Sequence, residues 1–178
     1  MDRRALSVFV AIDLDERARA EVAGVIDQHR ASVEAKWLPP QKLHLTVVFL
    51  GNPQPEPLIP KLDALAATAK PFSLELTGSG IFETERAAAV LWLGVGGDLE
   101  QLRALQRAAS QQLGDEPREY VPHVTLGRAH VPGAYDETAR ALQRFRGARF
   151  EVRHLTLYES THHSFRVVKT SAFPPTSR

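Results

Sequence analysis

Apolar and polar positions along the chain fall into two periods, and together they predict alternating strands and helices. Ala5 to Ile12 is nearly all apolar and reads as a buried strand ending at Asp13-Leu14-Asp15. Asp13 or Asp15 can cap the helix that follows, Glu16 to Val33. Ala20, Val22, Ile26 and Val33 mark its buried side, with Arg17, Arg19, Glu21 and Asp27 toward water. Lys36-Trp37-Leu38 is a short extended piece stopped by Pro39-Pro40. Leu43 to Leu50 reads as a strand closed by Gly51-Asn52-Pro53. Pro57 to Lys70 has helical spacing, with Leu58, Leu62 and Leu65 on one stripe. Phe72 to Phe82 alternates as a strand, and Glu83-Thr84-Glu85-Arg86 is a polar turn.

Ala88 to Val95 is strongly apolar and predicts a central strand containing Trp92. Gly96-Gly97-Asp98 ends it and caps a helix over Leu99 to Leu113, which Gly114 stops. After the polar loop Asp115 to Tyr120, Val121 to Arg128 reads as a strand. Pro132-Gly133 precedes a short helix, Tyr135 to Phe145. Arg149 to Glu159 and Ser164 to Ala172 read as two final strands around the loop Ser160-Thr161-His162-His163, and the tail Pro174 to Arg178 as frayed. Eight strands and four helices result. The order strand, helix, strand, strand recurs loosely on either side of residue 90, with no Gly/Ser linker and no solenoid repeat. The expected class is α+β, with sheets and outer helices in two pseudo-repeated lobes.

Two of these strands carry the same signature. Leu43-His44-Leu45-Thr46-Val47 and Pro122-His123-Val124-Thr125-Leu126 each place a His and a Thr two positions apart in an apolar run. Residues i and i+2 of a strand share a face, so His44 and Thr46 point one way and Leu45 the other. The same holds for His123, Thr125 and Val124. A single His-x-Thr is an ordinary half-buried strand histidine. Two copies nearly half a chain apart predict a duplicated half-domain with a site between the halves. A third copy, His154-Leu155-Thr156, lies beside Glu151 and Arg153. It is expected to be a strand residue on a partly exposed face, and His162 and His163 to be solvated loop residues.

Composition narrows the chemistry. The 178 residues suffice for one sizeable domain, and a net charge of +1 offers no basic field for wrapping long nucleic acid. A nucleic-acid contact would be local, at an end or a single phosphate. The absence of cysteine excludes disulfides, thiolate chemistry and Cys-ligated metal. The apolar run after Met1 is too short for a signal or membrane segment, so a cytoplasmic location is expected. No G-x-S-x-G, G-x-G-x-x-G or G-x-x-x-x-G-K-[ST] motif occurs. Each strand offers one His and one Thr with no carboxylate beside them, a poor donor set for zinc, and no metal or cofactor is expected.

A pair of imidazoles, one neutral and one protonated, can run general base and general acid in one step. That suits in-line displacement at phosphorus. The Thr46 and Thr125 hydroxyls can donate to the non-bridging oxygens. Arg128 can add a cationic donor. Strict alternation would turn Arg128 away from His123, and Gly127 between them is the residue at which a bulge would turn it back.

Trp37-Leu38-Pro39-Pro40, Leu43-His44-Leu45-Thr46, Phe49-Leu50-Gly51 and Pro122-His123-Val124-Thr125-Leu126-Gly127-Arg128 together resemble the two halves of the two-histidine phosphoesterases. Val8-Phe9-Val10-Ala11-Ile12 and Leu157-Tyr158-Glu159-Ser160 are similar to the RNA 2′,3′-cyclic phosphodiesterase, or 2′-5′ RNA ligase-like, branch. The resemblance covers nearly the whole chain. It implies one domain over residues 1–178, bilobed, with two intertwined lobes and a central cleft. It implies metal-independent hydrolysis of a terminal 2′,3′-cyclic phosphate on RNA to a 2′-phosphate, with 2′-5′ ligation as the reverse. By position, His44 and His123 are the implied catalytic pair, and Thr46, Thr125 and Arg128 the phosphate holders. The implied split is His44 as acid to the 3′ oxygen and His123 as base to water. The implied partners are RNA ends or nucleotides bearing the cyclic phosphate, with no membrane partner and a monomeric protein expected. The loop at Ser160 to Ser164 departs from the longer Gly-containing segment of the family. Two other readings stay open: a nucleotide-binding module without turnover, and an enzyme for a small cyclic phosphate such as ADP-ribose 1″,2″-cyclic phosphate.

Overall fold

The computed structural model describes residues 7–51, 54–83, 89–115, 119–161 and 164–175. The strand start at Ala5, the turn residues Asn52 and Pro53, the turn Thr84-Glu85-Arg86, Ala88, His162, His163 and the last tail residues lie outside that set.

The described strands are β1 (Ser7–Asp13), β2 (Lys36–Trp37), β3 (His44–Phe49), β4 (Phe72–Phe82), β5 (Ala89–Gly97), β6 (His123–Ala129), β7 (Arg146–Val152), β8 (His154–Ser160) and β9 (Phe165–Ala172). The helices are α1 (Glu16–His29), α2 (Ile59–Thr68), α3 (Leu99–Leu113) and α4 (Asp136–Leu142). The strands run in the order β7-β4-β5-β6-β3-β1-β8-β9, with β2 added on β6. Every pairing among them is antiparallel. The two halves, β6-β5-β4-β7 and β3-β1-β8-β9, meet among the described residues at a single pair, Leu45 opposite Val124. Past that pair β2 takes the edge of β6, with Lys36 opposite Arg128 and Trp37 opposite Gly127. The lobes exchange strands, because β4 comes from the first part of the chain and β8 from the last.

The helices cover the face opposite the histidines. α1 packs on β7, α2 on β8 and β9, α3 on β3 and α4 on β4. Val22, Leu62 and Leu102 from these helices join Leu45 and Val124 in one core cluster. Among the described residues, no helix is long and apolar enough to cross a membrane.

Several boundaries differ from the sequence expectation, each for a local reason. The stretch read as one strand over 149–159 is two. The chain leaves the sheet at Arg153, so β7 pairs with β4 at one edge while β8 pairs with β1 in the other lobe. This makes nine strands among the described residues rather than eight. α1 stops at His29, and its buried stripe is Ala18, Val22, Val25 and Ile26; Ala20 is exposed. Asp15 caps it, accepting from Ala18 N at 2.7 Å. Asp98 does not cap α3 with its side chain; its carboxylate accepts instead from Ser73 N at 2.9 Å. α2 is shorter than expected because residues 56–58 form a separate 3-10 turn. α4 closes at Leu142, three residues before the expected Phe145. Gly114 ends α3 in the left-handed region, φ 88°, as its position predicts.

Gly127 sits where three elements converge. A Cβ there would lie 2.7 Å from the Tyr135 hydroxyl and 3.2 Å from the Trp37 ring. Tyr135 is fully buried and cannot swing away. Gly127→Ala is therefore expected to lower stability by about 1–3 kcal/mol, the usual cost of overpacking. Urea denaturation checks this, and an unchanged midpoint would show that the crowding is relieved elsewhere.

Candidate active site

β3 and β6 fold alike down to their irregularities. Leu45 and Val124 are fully buried, so His44, Thr46, His123 and Thr125 share the opposite face. Extending the Leu45–Val124 register by one residue sets His44 opposite Thr125 and Thr46 opposite His123. The imidazoles then occupy one diagonal of a four-residue square and the hydroxyls the other. Facing Cβ atoms in such a pair lie about 4.5–5.5 Å apart and diagonal residues about 7–8 Å.

Each strand then bulges. The register steps from Thr46 to Val48 against consecutive β1 residues, and from Thr125 to Gly127 against consecutive β5 residues. Val47 and Leu126 are the extra residues, and both point into the core. The bulge reverses the alternation, which brings residue 128 back to the histidine face. Arg128 is exposed there, and its charge acts on His123. The matching position on β3 is Phe49, 44% exposed, which lines a cavity of about 350 Å³ with Thr46, His123, Phe82 and Tyr120. The pseudo-repeat thus puts a cation at one end of the site and an aromatic ring at the other.

The imidazoles are held the same way. Nδ1 of His44 meets the Lys42 carbonyl at 2.7 Å, and Nδ1 of His123 meets the Val121 carbonyl at 2.7 Å. A carbonyl only accepts, so Nδ1 carries the hydrogen and Nε2 is left to face the site. The Thr46 hydroxyl donates to His44 Nε2 at 3.1 Å. Burial lowers both histidines below 6.5. For His44 the Lys42 carbonyl and the Asp13 charge pull upward, while His123 and Arg19 push down. For His123 the Val121 carbonyl pulls upward and Arg128 pushes down. Arg19 is fixed by donating to the carbonyls of Pro40 and Leu14, at 2.7 Å and 3.2 Å.

Aromatic rings wall both sides. Phe9 and Phe165 lie 5.0 Å and 5.3 Å from the His44 ring. Phe82 meets the His123 ring edge-on at 4.9 Å, with Trp92 at 6.0 Å. Tyr120 donates to the Thr46 carbonyl at 3.0 Å, and burial pushes its phenol up, so it stays protonated.

The five expected residues, His44, Thr46, His123, Thr125 and Arg128, therefore come together. His154 does not join them, being turned toward Asp13 at 3.2 Å. Three contributors escape the sequence reading: Asp13, Tyr120 and Tyr158. The sequence offers Asp13 only as a strand end or helix cap. It is instead the cross-strand partner of His44, and its carboxylate accepts from Thr156 and Tyr158 hydroxyls, both at 2.6 Å. The signal available is its place at the end of an apolar strand, where a carboxylate drawn into the sheet needs polar partners. Among the described residues, no group of three or more His, Asp or Glu side chains is arranged to hold a metal ion.

A profile of the 2'-5' RNA ligase superfamily matches residues 15–164, and the chain belongs to that superfamily. Among its relatives, a protein of Methanothermobacter thermautotrophicus named RNA 2',3'-cyclic phosphodiesterase is 33% identical over 75% of this chain and 77% of its own. One of the same name from Methanocaldococcus jannaschii is 28% identical over 88% of this chain and 92% of its own. The fold is that of E. coli LigT complexed with 3'-AMP, with TM-score 0.75 and 24% identity over 97% of this chain and 100% of that one. TT0787 of Thermus thermophilus superposes with TM-score 0.71 at 24% identity, covering 94% and 98% of the two chains.

Asp13 supplies a stability test. Burial alone would raise its carboxyl, but donors from His154, Thr156 and Tyr158 reverse this and hold it at about 2, against 3.8 for a free side chain. A depressed carboxyl stabilises the fold above the unfolded value and loses that contribution as pH falls through the folded one. Asp13→Asn is expected to cost about 2 kcal/mol near pH 6, with the difference from wild type vanishing toward pH 2. Denaturant melts at several pH values measure it; a difference constant with pH would contradict the assignment.

Proposed function

We propose that the protein hydrolyses a terminal RNA 2′,3′-cyclic phosphate to a 2′-phosphate without a metal. The observation that supports this most strongly is the register of Leu45 on Val124, whose extension sets His44 and His123 on one diagonal of a square and Thr46 and Thr125 on the other. In-line displacement needs the entering and departing oxygens on opposite sides of phosphorus. A diagonal pair of proton carriers meets that requirement.

In this reading His123, neutral with its proton on Nδ1, takes a proton from water at Nε2 as the water oxygen bonds to phosphorus. The P–O3′ bond breaks, and His44 Nε2 gives its proton to O3′. Thr46 turns from His44 to the phosphate, and with Thr125 donates to the non-bridging oxygens. Arg128 balances their negative charge. The lowered histidines keep a neutral base available at neutral pH. The names of the relatives supply the substrate class, and the local site and modest net charge are in keeping with contact to an RNA end rather than a long duplex. The same groups run backward would join a cyclic phosphate to a 5′-hydroxyl in a 2′-5′ linkage.

His44→Ala and His123→Ala are each expected to lower kcat by roughly a hundred- to ten-thousand-fold, with the fold intact. Turnover is expected to continue in chelator and to follow a bell-shaped pH profile. Phosphorus NMR of the product from a 2′,3′-cyclic nucleotide should show the 2′-monoester alone. Retained turnover in either variant, or a 3′-monoester product, would sink the proposal. Tight nucleotide binding without product would point to a binding module instead.

A further inference from the structure

The pseudo-repeat that makes β3 and β6 alike fails at one position. The residue opposite His44 is Asp13, and the residue opposite His123 is Gly94. The difference is built in. A Cβ on residue 94 would lie 2.6 Å from the Thr77 carbonyl oxygen, so no side chain fits beside His123 from that strand. On the other side the carboxylate is fixed. Tyr158 donates to its Oδ1, Thr156 and His154 approach its Oδ2, and Thr156 in turn meets the Thr170 hydroxyl at 3.3 Å. The third His-x-Thr therefore has a use. His154 and Thr156 close a polar row running from β3 through β1 and β8 to β9.

We propose that Asp13 is the positioning residue that breaks the symmetry of the pair, keeping the transferable proton on His44 so that His44 serves O3′ and His123 serves water. The proposal rests on the hydrolase reading above. Asp13 makes no hydrogen bond to His44, whose ring nitrogens are taken by Lys42 and Thr46. It acts through its charge at cross-strand distance. The groups facing His44 from each element are Asp13 on β1, Tyr158 and His154 on β8, His123 on β6, Arg19 on α1 and Lys42 just before β3. Tyr158 stays a neutral phenol, pushed up by burial and by the Asp13 carboxylate it serves. Lys42 Nζ lies over the Phe165 ring at 5.2 Å. Arg19 and a protonated His123 both oppose a proton on His44, and Asp13 is the anion that offsets them.

The test is a ring-resolved NMR titration of both histidines in the whole protein. Asp13→Asn is expected to drop the His44 midpoint by about one unit, with His123 moving by less than about 0.3 unit. The alkaline limb of kcat/KM should shift down with it, and Asp13→Glu should restore both. Tyr158→Phe leaves the carboxylate charged and should not lower the His44 midpoint. A His44 midpoint unmoved in Asp13→Asn, or lowered equally in Tyr158→Phe, overturns the proposal. Should Asp13→Asn fail to fold, the wild-type order decides: His44 titrating above His123 supports it, and the reverse order overturns it. These titrations need no turnover, so loss of the hydrolase reading would show separately, as wild-type protein that forms no product.

Discussion

One pairing, Leu45 against Val124, holds the arrangement together. Among the described residues it is the only point where the two halves of the sheet share a ladder, and both side chains are sealed in the core. Burying these two apolar residues decides which way their neighbours face. With Leu45 and Val124 inward, His44, Thr46, His123 and Thr125 have no choice but the open face. A one-residue slip would turn all four into the core and leave two aliphatic side chains in water. The hydrophobic term that stabilises the fold is thus the same one that sets the site's geometry.

Around that pairing, repetition and its exceptions divide the work. Repetition gives each strand a histidine tied through Nδ1 to the carbonyl two residues back, and a bulge just past the threonine. In the proposed mechanism the exceptions supply the direction. Arg128 stands where the other strand has Phe49, and Asp13 stands where the other half has Gly94. A perfectly symmetric pair could hold a phosphate, but it would not distinguish the entering oxygen from the departing one.

Much of this is legible in the sequence. His44 and His123 are marked by the duplicated signature, and inward Leu45 and Val124 follow from period-two alternation alone. α3 is predictable to the residue because an amphipathic stripe runs between Asp98 and Gly114. Arg128 requires a bulge that Gly127 hints at, although the extra residue is Leu126. What stays hidden depends on pairings far apart in the chain. The break at Arg153 is marked only by a change of parity, the inward apolar residues passing from Phe150 and Val152 to Leu155 and Leu157. Nothing near Asp13 in sequence reveals Thr156 or Tyr158, which reach it only because β8 crosses to the other lobe. Asp98 shows the complementary failure, a good capping residue diverted by Ser73 on a neighbouring strand.

In the proposed reaction two distant imidazoles serve one phosphorus atom. Histidine-labelled protein titrated with a nucleoside 2′-phosphate tests it most directly. The ring signals of His44 and His123 are expected to move together along one saturation curve, with one ligand bound per chain. Movement of a single ring, or two curves with separate affinities, would contradict it.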